Sequence, residues 1–359
     1  LSTTPSRAAR AALGLTLTAA IFELCCRLLL SSAPVLARLS ELDDTARELA
    51  AVQRLRKLDG HATDFSARYP VAWHPVYGWT SRAGRFEADG HTLTVDERGM
   101  RALGPEAPAP GAQPRRALIL GDSFGFGVDV GDADTFVAQL ASPDLELLNL
   151  SVIGFGHDQM LLRLRHEGLA YHPDVVVLVF VSCDVPRNAQ RFTTWRKPKF
   201  ELHDGALVLS DWRPLTVAEV LAAHDRRPRA LDLARLLTAA TRRPQAAAEA
   251  DALTRALLTQ LAAEVVDAGA LPVLVHAPIL GEWALSPDDP RYAQFADRQL
   301  VQRFCAETPG ARCLDLFPAF HQAARAGTEL LAGTHWSPAA HALIAEALAP
   351  TLAPSGGAP

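Results

Sequence analysis

One short apolar run ending in a glycine-bounded turn constrains this chain more than any other stretch. It reads Ala117-Leu118-Ile119-Leu120-Gly121-Asp122-Ser123-Phe124-Gly125-Phe126-Gly127. Arg115 and Arg116 give the run a polar start, and its four apolar residues read as a buried strand. Glycines two and four residues past Ser123 let the backbone turn sharply. Open α/β sheets place their ligands outside the carboxyl ends of their strands, so a serine thrown up there has the layout of a nucleophile. Gly, Asp and Ser are also ordinary turn residues; the order of the later segments decides between the two readings.

Strand-like runs recur at 117–120, 145–150, 174–181, 271–276 and 312–316. Helical patterns separate them at 133–140, 158–170, 246–268 and 297–307. Strand alternating with helix predicts an α/β fold, a three-layer doubly wound (flavodoxin-like) arrangement around a parallel five-stranded sheet. The connection 186–244 is too long for one helical crossover. It contains a hairpin pattern turning at Asp204-Gly205 and a helical insert, and loops of this length at a sheet's ligand edge often cover a site.

Upstream, residues 11–30 are almost wholly apolar, interrupted by Glu23 and Arg27. As a helix this run is about 30 Å long, enough to cross a hydrocarbon core. The two charges lie four residues apart, on one helix face, where they can pair near the outer interface. Arg7 and Arg10 precede the run without acidic neighbours, which favours a cytoplasmic N-terminus and an exported remainder. A cleaved signal peptide with Val35-Leu36-Ala37 at the cleavage site is the rival reading, and a buried globular helix is a third. The charges interrupt what would be a signal core, so an uncleaved anchor over 1–32 is the expectation. Residues 33–114 then form a stalk helix, a Trp/Pro/Gly-rich segment through His74-Pro75-Val76-Tyr77-Gly78-Trp79, and a hairpin turning near Asp89-Gly90. The aromatic segment is expected to pack under the sheet. A Pro/Gly/Ala-rich linker leads into a catalytic domain over 115–353, and 354–359 read as a disordered tail.

Composition removes several function classes. The net charge of −5 over 359 residues, with no basic stripe interleaved with aromatics, argues against a nucleic-acid partner. The five cysteines contain no Cys-x-x-Cys pair, so no metal is expected. Cys305 and Cys313 flank a turn and are either a disulfide outside the cytoplasm or two buried thiols.

The carboxyl ends of the strand-like runs can be compared directly. Ser123 follows the first; Ser151-Val152-Ile153-Gly154-Phe155-Gly156 follows the second, with glycines that let a backbone N–H face a ligand; Ser182-Cys183-Asp184 follows the third. Near the C-terminus, Ser337 is a suitable N-cap and Pro338 a first-turn proline, so His335 stands at the entrance of a final helix over 339–349. In this order and spacing the segments resemble the SGNH (GDSL-like) hydrolases, in particular bacterial membrane-anchored members. The resemblance runs from the Glu/Arg-bearing anchor through His74-Pro75, Gly78-Trp79, Gly121-Asp122-Ser123, Gly154, Asp158-Gln159 and Tyr171-His172-Pro173-Asp174 to His335.

The resemblance implies that Ser123 is the nucleophile and His335 its base, with the backbone N–H groups of Ser123 and Gly154 binding the oxyanion. It places Asp122, Cys183 and Asp184 beside them at the substrate-binding edge. The implied reaction is acyl-ester cleavage through an acyl-serine, without cofactor, on an acylated carbohydrate or other acyl ester; an alcohol acceptor in place of water makes the same site an acyltransferase. Two positions depart from the family pattern. Cys183 stands where the family has an Asn oxyanion donor, and Ala332 stands three residues before the histidine, where the family has the triad Asp. A thiol is a weak donor, and losing one oxyanion donor costs about 10²–10³ in rate. A Ser-His dyad with its imidazole held by a backbone carbonyl is one alternative, substitution by Asp184 or Asp315 through a shifted geometry is another, and Asn188, four residues past Asp184, is a further polar group within reach of the site. The second functional reading is therefore a weakened accessory protein in envelope polysaccharide acylation, partnering a membrane-bound acyltransferase.

Overall fold

The strand Val175–Phe180 is buried at every position, as a central strand covered on both faces must be. It is β3 of a five-stranded parallel sheet whose other members are β1 (Arg115–Leu120), β2 (Leu145–Asn149), β4 (Leu271–His276) and β5 (Arg312–Asp315). Their spatial order is β5-β4-β3-β1-β2. β1 pairs with β2 from Arg115↔Leu145 to Ile119↔Asn149 and with β3 from Ala117↔Val175 to Leu120↔Leu178. Successive connections therefore leave β1 in opposite directions, and a topological switch point lies at the carboxyl ends of β1 and β3. This is the α/β doubly wound architecture that the alternation of runs predicts.

The computed structural model describes residues 6–39, 43–57, 70–88, 90–193, 195–240, 243–279, 281–285, 289 and 296–353. They fall into two compact units. The larger takes in 64–189, 197–214 and 247–359 and contains the sheet. On one face Ala117, Ile119, Val177, Val179 and Val275 pack with Trp336, Ile344 and Leu348 of the C-terminal segment and with Phe136 and Phe320. On the other, Leu178 and Leu274 meet Leu258 and Leu261 of the helix Arg243–Asp267 and Phe304 of the helix Ala296–Glu307. Cys305 and Cys313 are bonded and tie that second helix to β5.

Local chemistry shifts several boundaries from the sequence reading. The pattern over 133–140 is a 3-10 turn, Asp132–Asp134, followed by the helix Phe136–Gln139, because extended Thr135 caps the second element through Ala138 N at 3.1 Å. The helix after β2 is His157–His166, and the chain continues as the 3-10 turn Gly168–Tyr171 into left-handed His172 before Pro173. A helix at Phe317–Arg325, with proline in its first turn, is an addition to the sequence reading. Both hairpins form where their turn residues place them, Gly84–Ala88 with His91–Val95 and Phe200–His203 with Ala206–Leu209. Asp89 and the tail 354–359 lie outside the described residues. In the aromatic segment, Trp79 is fully buried and donates through Nε1 to Ile153 O at 2.8 Å.

The smaller unit draws on Leu1–Thr63, Gln190–Arg196 and Leu215–Ala246, so part of the 186–244 insert belongs with the N-terminal segment. Its first helix, Arg7–Leu29, has a mean hydropathy of 1.7 and is long and apolar enough to cross a membrane. Leu13, Leu15, Leu17, Ile21 and Phe22 on it are exposed. Arg27 pairs with Glu23 at 2.8 Å, and Glu23 also accepts from Arg229 N and Ala230 N at 2.9 and 3.0 Å, capping the helix Arg229–Ala240. The pairing expected from the four-residue spacing is thus present, with a second use for the carboxylate.

The larger unit yields two stability outcomes. Gly127 has φ 76°, and a Cβ there would stand 2.7 Å from Thr135 Cγ2; Gly90 has φ 83° with open space around it. In urea unfolding of the detergent-solubilised chain, Gly127→Ala is expected to cost about 2–3 kcal/mol and Gly90→Ala about 1. The second outcome concerns His341, which is buried and accepts from Phe136 N at 3.1 Å. Burial, then the charges of Arg101 and His335, push its pKa down to about 3, against roughly 6.5 in an unfolded chain. Between those values the unfolded chain binds a proton that the folded chain refuses, so this contribution is complete above pH 6.5 and is lost as pH falls toward 3. His341→Gln is expected to flatten the stability slope between pH 6 and 4 by about 1.4 kcal/mol per pH unit.

Candidate active site

β1 ends at Leu120, and Asp122 stops the strand by capping the short helix Ser123–Phe126, its Oδ1 accepting from Phe124 N at 2.8 Å. The turn is tight because two glycines let it press against the segment after β2. A Cβ on Gly125 would stand 2.7 Å from Ser151 Oγ, and one on Gly121 3.0 Å from the same atom. Ser123 thus begins the helix at the switch point, with 5% of its surface exposed.

His335 reaches the same point from the other end of the chain. Leu331–Ala332 and His335–Trp336 pair as a minimal hairpin. Trp336 anchors it: the ring is fully buried, donates to Pro278 O at 2.9 Å and packs 4.9 Å from the Phe124 ring. Ser337 caps the helix Pro338–Leu352 through Ala340 N, as its sequence implies. The imidazole then lies 4.6 Å from the Phe124 ring, and its Nε2 is 2.9 Å from Ser123 Oγ.

The other imidazole nitrogen finds a carboxylate that sequence reasoning missed. His335 Nδ1 is 3.0 Å from Asp129 Oδ2, which also accepts from Thr334 N at 3.0 Å and from His335 N at 3.2 Å. Gly333 permits the approach, since a Cβ there would stand 2.8 Å from that oxygen. An ionised carboxylate only accepts, so Nδ1 carries the proton and Nε2 is left as acceptor for the Ser123 hydroxyl. A carboxylate–imidazole–hydroxyl chain results. Asp315 is engaged elsewhere, with Arg298 at 2.8 Å and with Phe317 N at 3.1 Å. The signal for Asp129 was the lone acid in Val128-Asp129-Val130, six residues past Ser123 in the same glycine-bounded loop.

The remaining candidates sit around a buried charge cluster. Asp122 and Asp184 are fully buried and share Arg187 Nη1, at 2.7 and 2.5 Å. Cys183 Sγ lies 3.9 Å from Asp122 Oδ2, which is itself 3.4 Å from Ser123 Oγ. Burial first, then the neighbouring Asp122 charge, lifts the Asp184 carboxyl well above the usual range; burial also pushes the Cys183 thiol up. The sulfur is therefore a protonated, weak donor. Asp122, Cys183 and Asp184 could offer three ligand atoms to a metal ion, but the Arg187 guanidinium sits between the two carboxylates. Gly154 adopts φ 80° in the segment after β2, and the Trp79 bond holds the carbonyl that precedes it. Asn188 is directed away from Ser123: it accepts from His157 N at 2.8 Å and donates to Thr254 Oγ1 at 2.6 Å. Asp158 is buried against Lys197, and Gln159 donates to Tyr77 O at 2.8 Å, so both support the fold.

No family model matches the chain, and no curated protein does. Among solved structures it is similar to TesA, at 17% identity and a TM-score of 0.41 over 67% of this chain and 98% of that one. A catalytic mutant of Axe2, an acetylxylan esterase from Geobacillus stearothermophilus, is similar at 17% identity and a TM-score of 0.40, over 69% and 97%. LAE5, an α/β hydrolase enzyme from the metagenome of Lake Arreo, Spain, is similar at 15% and 0.41, over 68% and 96%.

Labelling of Ser123 by a fluorophosphonate reads the carboxylate–imidazole–hydroxyl chain directly. Asp129→Asn keeps an acceptor for the two backbone N–H groups but loses the charge that sets the tautomer, so the labelling rate is expected to fall by about 10⁴. Ala332→Asp, which only adds a second carboxylate three residues before His335, is expected to change it by less than about threefold, because Nδ1 is already occupied.

Proposed function

We propose that this chain is a membrane-anchored, extracytoplasmic serine esterase that removes small acyl groups from carbohydrate or envelope polymers through an acyl-serine intermediate. The observation that carries the reading is the unbroken contact from Asp129 through His335 to Ser123. In this reading the Ser123 hydroxyl gives its proton to His335 Nε2 as Oγ attacks the ester carbonyl. Asp129 stabilises the imidazolium, and the backbone N–H groups of Ser123 and Gly154 hold the developing oxyanion without reorganising. The imidazolium then protonates the departing alkoxide, and a water activated by the same base releases the acid. An alcohol in the place of that water completes an O-acyl transfer. The helix Arg7–Leu29 supports the anchor, and the two arginines on its N-terminal side support export of the remainder of the chain. The carbohydrate substrate is the class that the SGNH resemblance and an envelope location suggest together.

Cys183 in place of an amide donor is the observation that favours the second reading, a binding or accessory protein keeping the cleft without turnover. Hydrolysis of p-nitrophenyl acetate by the detergent-solubilised chain, beside Ser123→Ala, separates the two. The esterase reading expects the unaltered chain to exceed the variant by at least about 10³. Equal rates in both, with no fluorophosphonate labelling of Ser123, would leave the accessory role in its place.

A further inference from the structure

The guanidinium of Arg187 is held beside the nucleophile by groups that engage only part of it. One nitrogen, Nη1, donates to Asp122 Oδ2, Asp184 Oδ1 and, at 3.3 Å, to Phe155 O. Nε and Nη2 make no hydrogen bond among the described residues, and 22% of the side chain is exposed. Asp122 Oδ2 is also the oxygen that lies 3.4 Å from Ser123 Oγ, so one carboxylate oxygen separates a fixed cation from the nucleophile. The contact to Phe155 O places the same guanidinium against the residue after Gly154. Arg187 therefore stands between the two backbone segments whose N–H groups serve as oxyanion donors in the proposed function.

Its place in the chain is equally informative. Cys183 begins the turn that leads into the helix Asp184–Asn188, and Arg187 is four residues on, one turn along the same face. Cys183 stands where the resemblance expects a side-chain amide. We propose that Arg187 supplies the third oxyanion donor in place of that amide, through an N–H of Nε or Nη2. This rests on the esterase reading and adds a catalytic residue to it. A charge-assisted donor is stronger than a neutral amide, and one pinned by two buried carboxyl groups needs no reorganisation when the carbonyl oxygen gains charge. Asp122 offsets the guanidinium in the resting site, and a guanidinium stays protonated at any working pH.

The test uses the detergent-solubilised full chain, with kcat and KM for p-nitrophenyl acetate and near-UV circular dichroism to report folding. Arg187→Met is expected to lower kcat by about 10²–10³ and to move KM by less than about threefold. Adding Cys183→Asn to that variant is expected to restore kcat at least about tenfold, since it returns an amide donor to the vacated role. Arg187→Lys, which keeps a cation between Asp122 and Asp184 but loses the spare N–H groups of the guanidinium, is expected to lower kcat at least about tenfold with KM within about threefold; this arm does not depend on the folding of Arg187→Met. The proposal is overturned if Arg187→Met keeps kcat within threefold of the unaltered chain. A loss that Cys183→Asn does not recover also overturns it, and assigns Arg187 to holding Asp122. So does a loss of less than tenfold from Arg187→Lys, which would mean that the charge alone is needed there. Failure of the esterase reading is a different result, an unaltered chain no faster than Ser123→Ala.

Discussion

Every group of the candidate site depends on β1 being hydrogen-bonded between β2 and β3 with all three strands parallel. That pairing delivers the ends of three separate segments to one edge of the sheet. It also forces the chain leaving β1 to turn where Ser151 and Val179 already crowd it, a space that only Gly121 and Gly125 fit. Ser123 is held at the sheet's edge because the turn that carries it has no room to relax into a longer strand. The apolar faces of the sheet make this geometry stiff, since displacing Ser123 would require Ile119, Val177 and Val179 to leave a close-packed core.

The imidazole is held with the same economy of parts. One oxygen of Asp129 accepts from two backbone N–H groups and the ring nitrogen of His335. The carboxylate therefore fixes the course of the chain, the ring's orientation and its tautomer together. Trp336 clamps the next residue by burying its ring and donating to Pro278 O. Asp129 reaches His335 from the loop six residues after Ser123, and not from the position three residues before the histidine, which Ala332 occupies. Chemistry requires an oxygen at the right distance from Nδ1 and is indifferent to which segment supplies it.

The same substitution of origin describes the charged layer beneath the site. Arg187 lies between Asp122 and Asp184 and donates to both, and burial, then the neighbouring Asp122 charge, still raises the Asp184 carboxyl. In the smaller unit, Glu23 shows how one carboxylate in an apolar helix is made tolerable: it is paired with Arg27 and satisfied by two helix N–H groups. In both places a charge that would be costly alone has enough partners to be held.

The sequence by itself determined the parallel α/β sheet, the apolar N-terminal helix, both hairpins and the segments that bear Ser123, Gly154 and His335, because each is written in local periodicity, turn chemistry or short-range spacing. Helix limits were less legible where capping competes with periodicity, as at Thr135 and His172. Asp129 could not be assigned from the chain alone. Nothing in Val128-Asp129-Val130 says that Thr334 will meet it 205 residues later, in the room that Gly333 leaves. Arg187 was overlooked for a related reason: an arginine on a short helix reads as a surface charge until two buried carboxyl groups are seen to meet on it. Only the tertiary structure decided which acid orients His335 and which cation stands by Ser123, because both assignments depend on distances between atoms that the folded core brings together and that no local pattern encodes.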